Sequence, residues 1–351
     1  MRLFNFISSS FQKYQIAYID SRELLMECVI DVKKNNSIAI DTEFIWKNTY
    51  YPILSLIQIA TRSKIYLLDF FSLKKDLDLI SEILEDDNIM KVFHSARGDL
   101  SILSNSCGLH ISSVFDTQLA ESLFSINNNL QISYKSIVYK YFMKKLLKTE
   151  TNSDWGKRPL SIDQILYAAD DVRYLLKIMT IQKQKINKLN LIDKYEERIQ
   201  EEICYGRKKF KDTRLERFLR KNKNISDFDK RIFIWREEEA SSKNIPPNKI
   251  FKDKNLKKLK EIIKSKNLRE CDWIIQDFSS RKKFLEDFRA PIDTKRSVKV
   301  RPKGKYGTVN PQLNEPHSTK SISGFKGQPG GKIKTVKIVL PKKKKKTKKP
   351  S

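Results

Sequence analysis

The sequence predicts an α/β fold: a mixed sheet flanked by helices, followed by a small all-α module and a lysine-rich tail that does not fold. Three observations carry this reading. Segments 37–41, 53–60 and 64–69 are β-branched and aliphatic with polar breaks between them, and lie close enough to form a meander. From Leu77 onward the apolar period lengthens to that of a helix, and short strands and helices then alternate, as in a sheet covered by helices. After Pro291 the chain becomes rich in Gly, Pro, Lys and Ser and cannot bury enough apolar surface to fold.

The first 15 residues hold Arg2, Lys13, three serines and no acid, which fits either an organelle transit peptide or an ordinary leading strand, and residues 1–17 are set apart as an N-terminal extension. Beyond the meander, Leu77, Ile80, Ile83 and Leu84 mark a helix. Residues 91–94 form a short buried strand, Leu100 and Leu103 resume a helix, and Val114 with Phe115 offers a last strand. Ser161 and Gln164 form a capping box just after Pro159, and the register continues through Leu175, Leu176 and Ile178. The first domain is therefore placed at 18–205. Residues 206–226 are strongly basic and are expected as a linker. A helical module at 227–292 has helices over 228–244, 255–264, 267–276 and 281–288, with Pro246 and Pro247 breaking the first. The tail is 293–351.

A length of 351 residues exceeds one ordinary core, which agrees with two folded parts. Hydrophobic residues make up 39% and charged residues 32%, a globular composition diluted by lysine. No run approaches the roughly 18 consecutive apolar residues of a membrane span, so no membrane partner is expected. The formal charge is +28 and the pI about 9.8, an excess that points to a polyanionic partner. Residues 294–351 hold 18 Lys and Arg against the single acid Glu315, so +17 of the +28 lies there. Such a run is a solvated arm, or a contact for nucleic acid or an anionic membrane. Cys28, Cys107, Cys204 and Cys271 form no CxxC pair, and three histidines cannot complete a zinc finger; buried or free thiols in a reducing compartment are expected, and the location is expected to be cytoplasmic.

Three constellations stand out. In Asp41-Thr42-Glu43-Phe44, at the end of a predicted strand, alternation puts both carboxylates on one face, where they either invite a cation or simply meet solvent. In 94–100, His-Ser-Ala-Arg-Gly-Asp-Leu, a strand turns into a helix with Asp99 in its first turn. Asp99 is either a ligand or a complement to the helix dipole, and His94 is expected as a packed, hydrogen-bonded neighbour. In 167–172, Tyr-Ala-Ala-Asp-Asp-Val, Tyr167 and Asp171 are i and i+4 on one helix face, addressing one point or lying half buried against the sheet.

Taken in order and spacing, these stretches resemble the three motifs of the DEDD exonuclease superfamily, whose members bind two metal ions through four acids. The tyrosine subgroup has Tyr-x-x-x-Asp in its third motif, so the resemblance implies Asp41, Glu43, Asp99 and Asp171 as catalytic metal ligands, Tyr167 as the catalytic tyrosine, and Asp170 as a neighbour that does not ligate. Within the subgroup the chain is most similar to ribonuclease D. The similarity rests on DTEF at 41–44, Thr49-Tyr50-Tyr51-Pro52, Leu56-Ile57-Gln58, Phe115-Asp116-Thr117-Gln118, Ser153-Asp154-Trp155 and Arg158-Pro159-Leu160. It spans about residues 18–179, and the helical module with Trp235-Arg236 resembles the HRDC domain that follows in the family. Two features depart from the pattern: Gly98 replaces a larger residue, and the lysine tail has no counterpart.

The resemblance implies a ribonuclease H-like fold and a 3′-5′ exoribonuclease that trims the 3′ ends of tRNA precursors and other small structured RNAs, as a monomer. Four ionised carboxylates around one pocket repel by about 4 kcal/mol per pair at 4 Å and an effective dielectric of about 20. Two divalent ions neutralise them, and all-oxygen ligation points to Mg²⁺ or Mn²⁺ over zinc. By the same resemblance, the Tyr167 hydroxyl is expected to orient the attacking water. A 3′-5′ DNA exonuclease and a catalytically silent nucleic-acid-binding protein are the competing readings, since nothing in the acids reads a 2′-hydroxyl.

Overall fold

The computed structural model describes residues 15–125, 131–146, 150 and 153–289; the tail expected at 293–351 lies outside them. Strands β1 (Gln15–Ile19), β2 (Ser37–Ile45), β3 (Ile53–Ala60), β4 (Lys64–Asp69), β5 (Met90–Phe93) and β6 (Val114–Asp116) make one sheet in the order β1-β4-β3-β2-β5-β6. The predicted meander is its centre: β2, β3 and β4 pair antiparallel, while β1 on β4, β5 on β2 and β6 on β5 are parallel. Such mixed pairing needs crossovers, and helices Arg22–Val32, Leu77–Leu84 and Arg97–Cys107 occur in them.

Strands β3 and β4 are buried almost throughout, because the sheet is covered on both faces and their runs are correspondingly aliphatic. Ile40, Leu56, Ile59, Leu67, Val92 and Phe93 sit at the centre of the core. Helix Ile162–Arg173 packs across β2, β3 and β4. Its expected capping box is present, with Ser161 accepting from the Gln164 amide and Gln164 accepting from the Ser161 amide. Strand β2 runs past the expected end at residue 41 to Ile45, with a bulge between Glu43 and Phe44, so both acids lie within the strand.

Elements not read from the sequence include β1 and helices Arg22–Val32, Tyr134–Phe142 and Ile192–Gly206. The linker expected at 206–226 is a correction: 12 of its residues form helix Phe210–Lys221, whose Phe210 and Thr213 are buried while Asp212, Arg217, Arg220 and Lys221 are exposed. Ion-rich composition disguised an amphipathic helix.

The contacts divide the chain into two compact units, the first reaching Asp253 and the second beginning at Lys254. In the first, helix Asp227–Ser242 is tied to the loop after β2. The Tyr50 hydroxyl donates to Glu237 at 3.2 Å, Tyr51 and Ser241 hydroxyls lie 2.7 Å apart, and Phe218 stacks on Phe233 at 4.2 Å. These ties place that helix with the first unit, so the division falls inside the interval read as one helical module. The second unit contains helices Leu256–Ser265, Cys271–Ile274 and Phe278–Arg289. All four cysteines are free.

Candidate metal centre and active site

Each site residue is delivered by a different local device. Asp41 and Glu43 share a pleat of β2 and so point the same way. Asp171 sits in the last turns of helix Ile162–Arg173, one turn after Tyr167. Ligand oxygens of Asp41, Glu43 and Asp171 all lie within 4.8 Å of one another, although 128 residues separate Glu43 from Asp171. A cavity of 210 Å³ opens beside them, lined by Asp41, His94, Tyr134, Lys135, Tyr167 and Asp171.

Asp99 is brought to the same place but is not one of that close trio. Its carboxylate turns to Thr42, accepting from the hydroxyl at 2.5 Å. A carboxylate beside three like charges gains from a neutral donor, and Thr42 lies between Asp41 and Glu43 in sequence. Asp99 nonetheless stays within electrostatic reach of both, since its charge helps raise their pKa values.

The turn that carries Asp99 is held by a residue whose role the sequence did not show. Asp116, at the end of β6, accepts from the amides of Ser95 at 3.0 Å and Ala96 at 2.8 Å, and at the same time from those of Gln118 and Leu119. One buried carboxylate thus caps helix Thr117–Ser122 and fixes the start of helix Arg97–Cys107, where Ser95 adopts a left-handed φ of 66°. Ser95 has no glycine's freedom there, so the paired amides are what hold the conformation.

Electrostatics mark the acids as a set. Burial, then the charges of Asp99, Asp171 and Glu43, push the Asp41 carboxyl well above its ordinary value. Burial, then Asp171 and Asp99, push Glu43 up to about 9. Burial raises Asp99 to about 6 against the lowering effect of the Thr42 hydrogen bond. Mutual repulsion of this kind is relieved by divalent cations, and a donor set made only of carboxylate oxygens suits a hard one. The acids present therefore fit a divalent metal centre.

His94 behaves as expected of a packed neighbour. Burial lowers its pKa, and the neutral ring donates from Nε2 to the Ile132 carbonyl at 3.0 Å while Nδ1 lies 2.9 Å from the Thr117 hydroxyl. Tyr134 donates to the Asp170 carbonyl at 3.0 Å and accepts from the Tyr174 amide, bracing the end of the helix that carries Asp171. Asp170 pairs with Arg173 at 2.8 Å and is not in the acidic trio.

Tyr167 packs against Trp155, ring centres 6.1 Å apart. Trp155 is in turn held by a clamp. Arg158 donates twice to Asp69 at 2.8 Å, to the Ser55 carbonyl at 3.0 Å and to the Trp155 carbonyl at 2.9 Å, while the Ser55 hydroxyl also donates to that Trp155 carbonyl at 2.5 Å. Tyr18 completes the clamp by donating to Asp69 at 2.6 Å. Although burial alone would raise it, hydrogen bonds from Arg158 and Tyr18 hold the Asp69 carboxyl below the ordinary range. The sequence signalled this segment only through its resemblance to a family.

The mixed sheet thus brings acids together from its second strand and from a helix laid across it. Residues 16–187 match the family model described as 3′-5′ exonuclease. The ribonuclease D of Desulfotalea psychrophila is 34% identical over 245 residues, covering 67% of this chain and 64% of that protein. Over about two thirds of its length the chain is similar to these ribonucleases D, 67% and 68% for two of them. It spans a little under two thirds of the length of the relatives it matches, 64% and 61% for two of them. Among solved structures, ribonuclease D of Escherichia coli superposes with a TM-score of 0.68 at 23% identity, covering 79% of this chain and 74% of that one. The catalytic core of RRP6 from Trypanosoma brucei gives 0.55 at 25% identity, covering 70% of each chain.

Proposed function

We propose that this chain is a 3′-to-5′ exoribonuclease that hydrolyses the terminal phosphodiester of RNA and releases nucleoside 5′-monophosphates one at a time. The observation that carries the reading is the convergence of Asp41, Glu43 and Asp171 within 4.8 Å, with Asp99 adding its charge to theirs. Kinship with proteins named ribonuclease D supports RNA as the substrate.

In this reading Asp41, Glu43, Asp99 and Asp171 hold two divalent ions, Mg²⁺ or Mn²⁺. Bound there, divalent cations neutralise the carboxylates and lower the pKa of an attacking water. Tyr167, one helical turn from Asp171 and backed by Trp155, orients that water toward the terminal phosphate. Neutral His94 does not compete for the metal, because both ring nitrogens are engaged. Thr42 sets the resting position of Asp99.

The substrates are 3′ ends of tRNA precursors and other small structured RNAs, met by a monomer in the cytoplasm. No helix among the described residues is long and apolar enough to cross a membrane. The organisation is an exonuclease domain at 18–205, an HRDC-like segment at 227–292 that holds RNA upstream through phosphate contacts, and a basic tail that adds salt-sensitive affinity.

The test is an assay of purified protein on a 3′-extended tRNA, with single-stranded DNA alongside, with and without Mg²⁺. Metal-dependent shortening of the RNA with release of 5′-mononucleotides is expected. Faster hydrolysis of DNA points to the DNA exonuclease, and no hydrolysis of either with intact RNA binding points to a silent binding protein.

A further inference from the structure

The first unit contains a second, larger groove of 590 Å³, within the roughly 300–1,000 Å³ range of ligand pockets. It is built from the loop after β2, helix Phe210–Lys221, helix Asp227–Ser242 and the segment around Pro246, and includes none of the acids of the metal centre.

Its chemistry is that of a polyanion site. The walls carry five cations against two acids. Both acids are already engaged: Glu237 lies 3.1 Å from Arg236 and 3.5 Å from Arg214, and Asp253 lies 2.5 Å from Arg236. Arg217, Lys221 and Lys252 are exposed and have no ion-pair partner among the described residues. Arg236 is almost fully buried, yet its Nε has no hydrogen-bond partner among them, and neither has the buried Thr49 hydroxyl on the same wall. Two residues of the lining, Thr49 and Arg236, thus keep a buried polar atom without a partner among the described residues.

The groove also offers a stacking platform. Trp46 is 50% exposed, braced edge-on by Phe44 at 6.5 Å and by Phe210 at 6.0 Å. The Arg214 guanidinium lies 5.9 Å from its ring centre. A half-exposed indole fixed by neighbours and flanked by cations suits a nucleobase with its phosphate. Trp46 follows Glu43 by three residues along β2 and its exit, about 10 Å at the roughly 3.3 Å rise of a strand. That distance is two to three nucleotides at the roughly 3.4 Å rise of a stacked strand.

We propose that this groove is a subsite for single-stranded RNA upstream of the 3′ end, with a base stacked on Trp46 and phosphates held by Arg217, Lys221 and Lys252. The direction of the strand rests on the exonuclease reading, whereas occupancy of the groove by RNA does not.

The test uses the full chain and a fluorescein-labelled 12-nucleotide oligouridylate, with binding followed by anisotropy in EDTA and hydrolysis followed separately in Mg²⁺. The triple variant Arg217→Gln, Lys221→Gln, Lys252→Gln is expected to lose affinity about tenfold or more, and its log-log salt slope to fall by about 2, at roughly 0.7 per phosphate contact. Trp46→Ala is expected to weaken binding roughly five-fold or more, the lower end of a base-aromatic stack. A control that removes equal charge elsewhere, Lys34→Gln, Lys74→Gln, Lys75→Gln, should change affinity far less, and melting curves of all variants should match. Wild-type affinity in both groove variants, equal losses in the control, or no binding by the wild-type chain overturns the proposal. If the chain hydrolyses no RNA but the groove variants still lose binding, the groove stands and the exonuclease reading falls.

Discussion

Gly206, the last residue of helix Ile192–Gly206, packs against helix Arg97–Cys107 at the residue next to Asp99. A methyl group at Gly206 would lie 2.5 Å from Leu100 Cβ and 3.4 Å from its Cδ1. Carbon atoms rest at roughly 3.5–4.0 Å, and Leu100 Cβ is fixed to its backbone, so the two helices must part by about 1 Å. Such overpacking costs about 1–3 kcal/mol. Loss of chain entropy in the unfolded state favours the alanine by only about 0.4–1 kcal/mol. The clash wins, and Gly206→Ala should destabilise by about 1–2 kcal/mol, lowering the melting temperature by roughly 2–8 °C at about 2–4 °C per kcal/mol. Gly98→Ala provides the counterpart in the same helix. No atom lies within 4 Å of its added methyl, so it should stabilise by about 0.4–1 kcal/mol. Urea unfolding of both variants measures the sign directly. Because Leu100 adjoins Asp99, Gly206→Ala should also reduce kcat on RNA while Gly98→Ala does not. A Gly206→Ala protein as stable as wild type would refute the close approach of the two helices.

Arg158→Ala leaves Asp69 buried without its guanidinium and should cost about 3–5 kcal/mol, with Arg158→Lys recovering only part because an ammonium cannot span the same acceptors. Since Asp69 is held below the ordinary carboxylate range, the stability it contributes is present above that range and lost as pH falls through it, so acid unfolding of Arg158→Ala should lack that component. Lys91 is fully buried, and burial lowers its pKa to about 8, with Nζ donating to the Asp86 carbonyl at 2.6 Å. Its unfolded state binds more protons between that value and the ordinary 10.5, so this residue adds stability as pH rises through the window; Lys91→Met should remove that rise and stabilise at pH 7 by up to roughly 3 kcal/mol. Tyr167→Phe should lower kcat on RNA by roughly 10- to 100-fold with little change in binding, whereas Trp155→Leu, acting only through the ring contact, should give a smaller loss.

Much of the first unit was legible because its signals are local. Strands β2 to β4 are contiguous aliphatic runs with polar breaks, and the capping box at Ser161 and Gln164 fixes the start of the helix that carries Tyr167 and Asp171. The acids were legible as residue types at a spacing, and their convergence is the structure's contribution. What escaped notice depends on contacts far apart in the chain. Asp116 reaches back 20 residues to hold Ala96, and Arg158 reaches back 89 to Asp69. Nothing in the neighbourhood of either residue announces such a partner. Helix Phe210–Lys221 was hidden by its charges, since only Phe210 and Thr213 are fully buried in it. Strand β1 has five residues, too few for alternation to rise above chance, and is recognisable only by its pairing with β4. The turn of Asp99 toward Thr42 could not be read either, because a rotamer depends on which donors lie within reach.

The central claim is that acids from three separated segments form one divalent metal centre, and Mn²⁺ titration of the metal-free protein by electron paramagnetic resonance measures it most directly. Wild type should bind two ions per chain, and Asp41→Asn or Asp171→Asn should lose at least one of them while keeping the wild-type circular dichroism spectrum. Unchanged Mn²⁺ stoichiometry and affinity in both variants would contradict it.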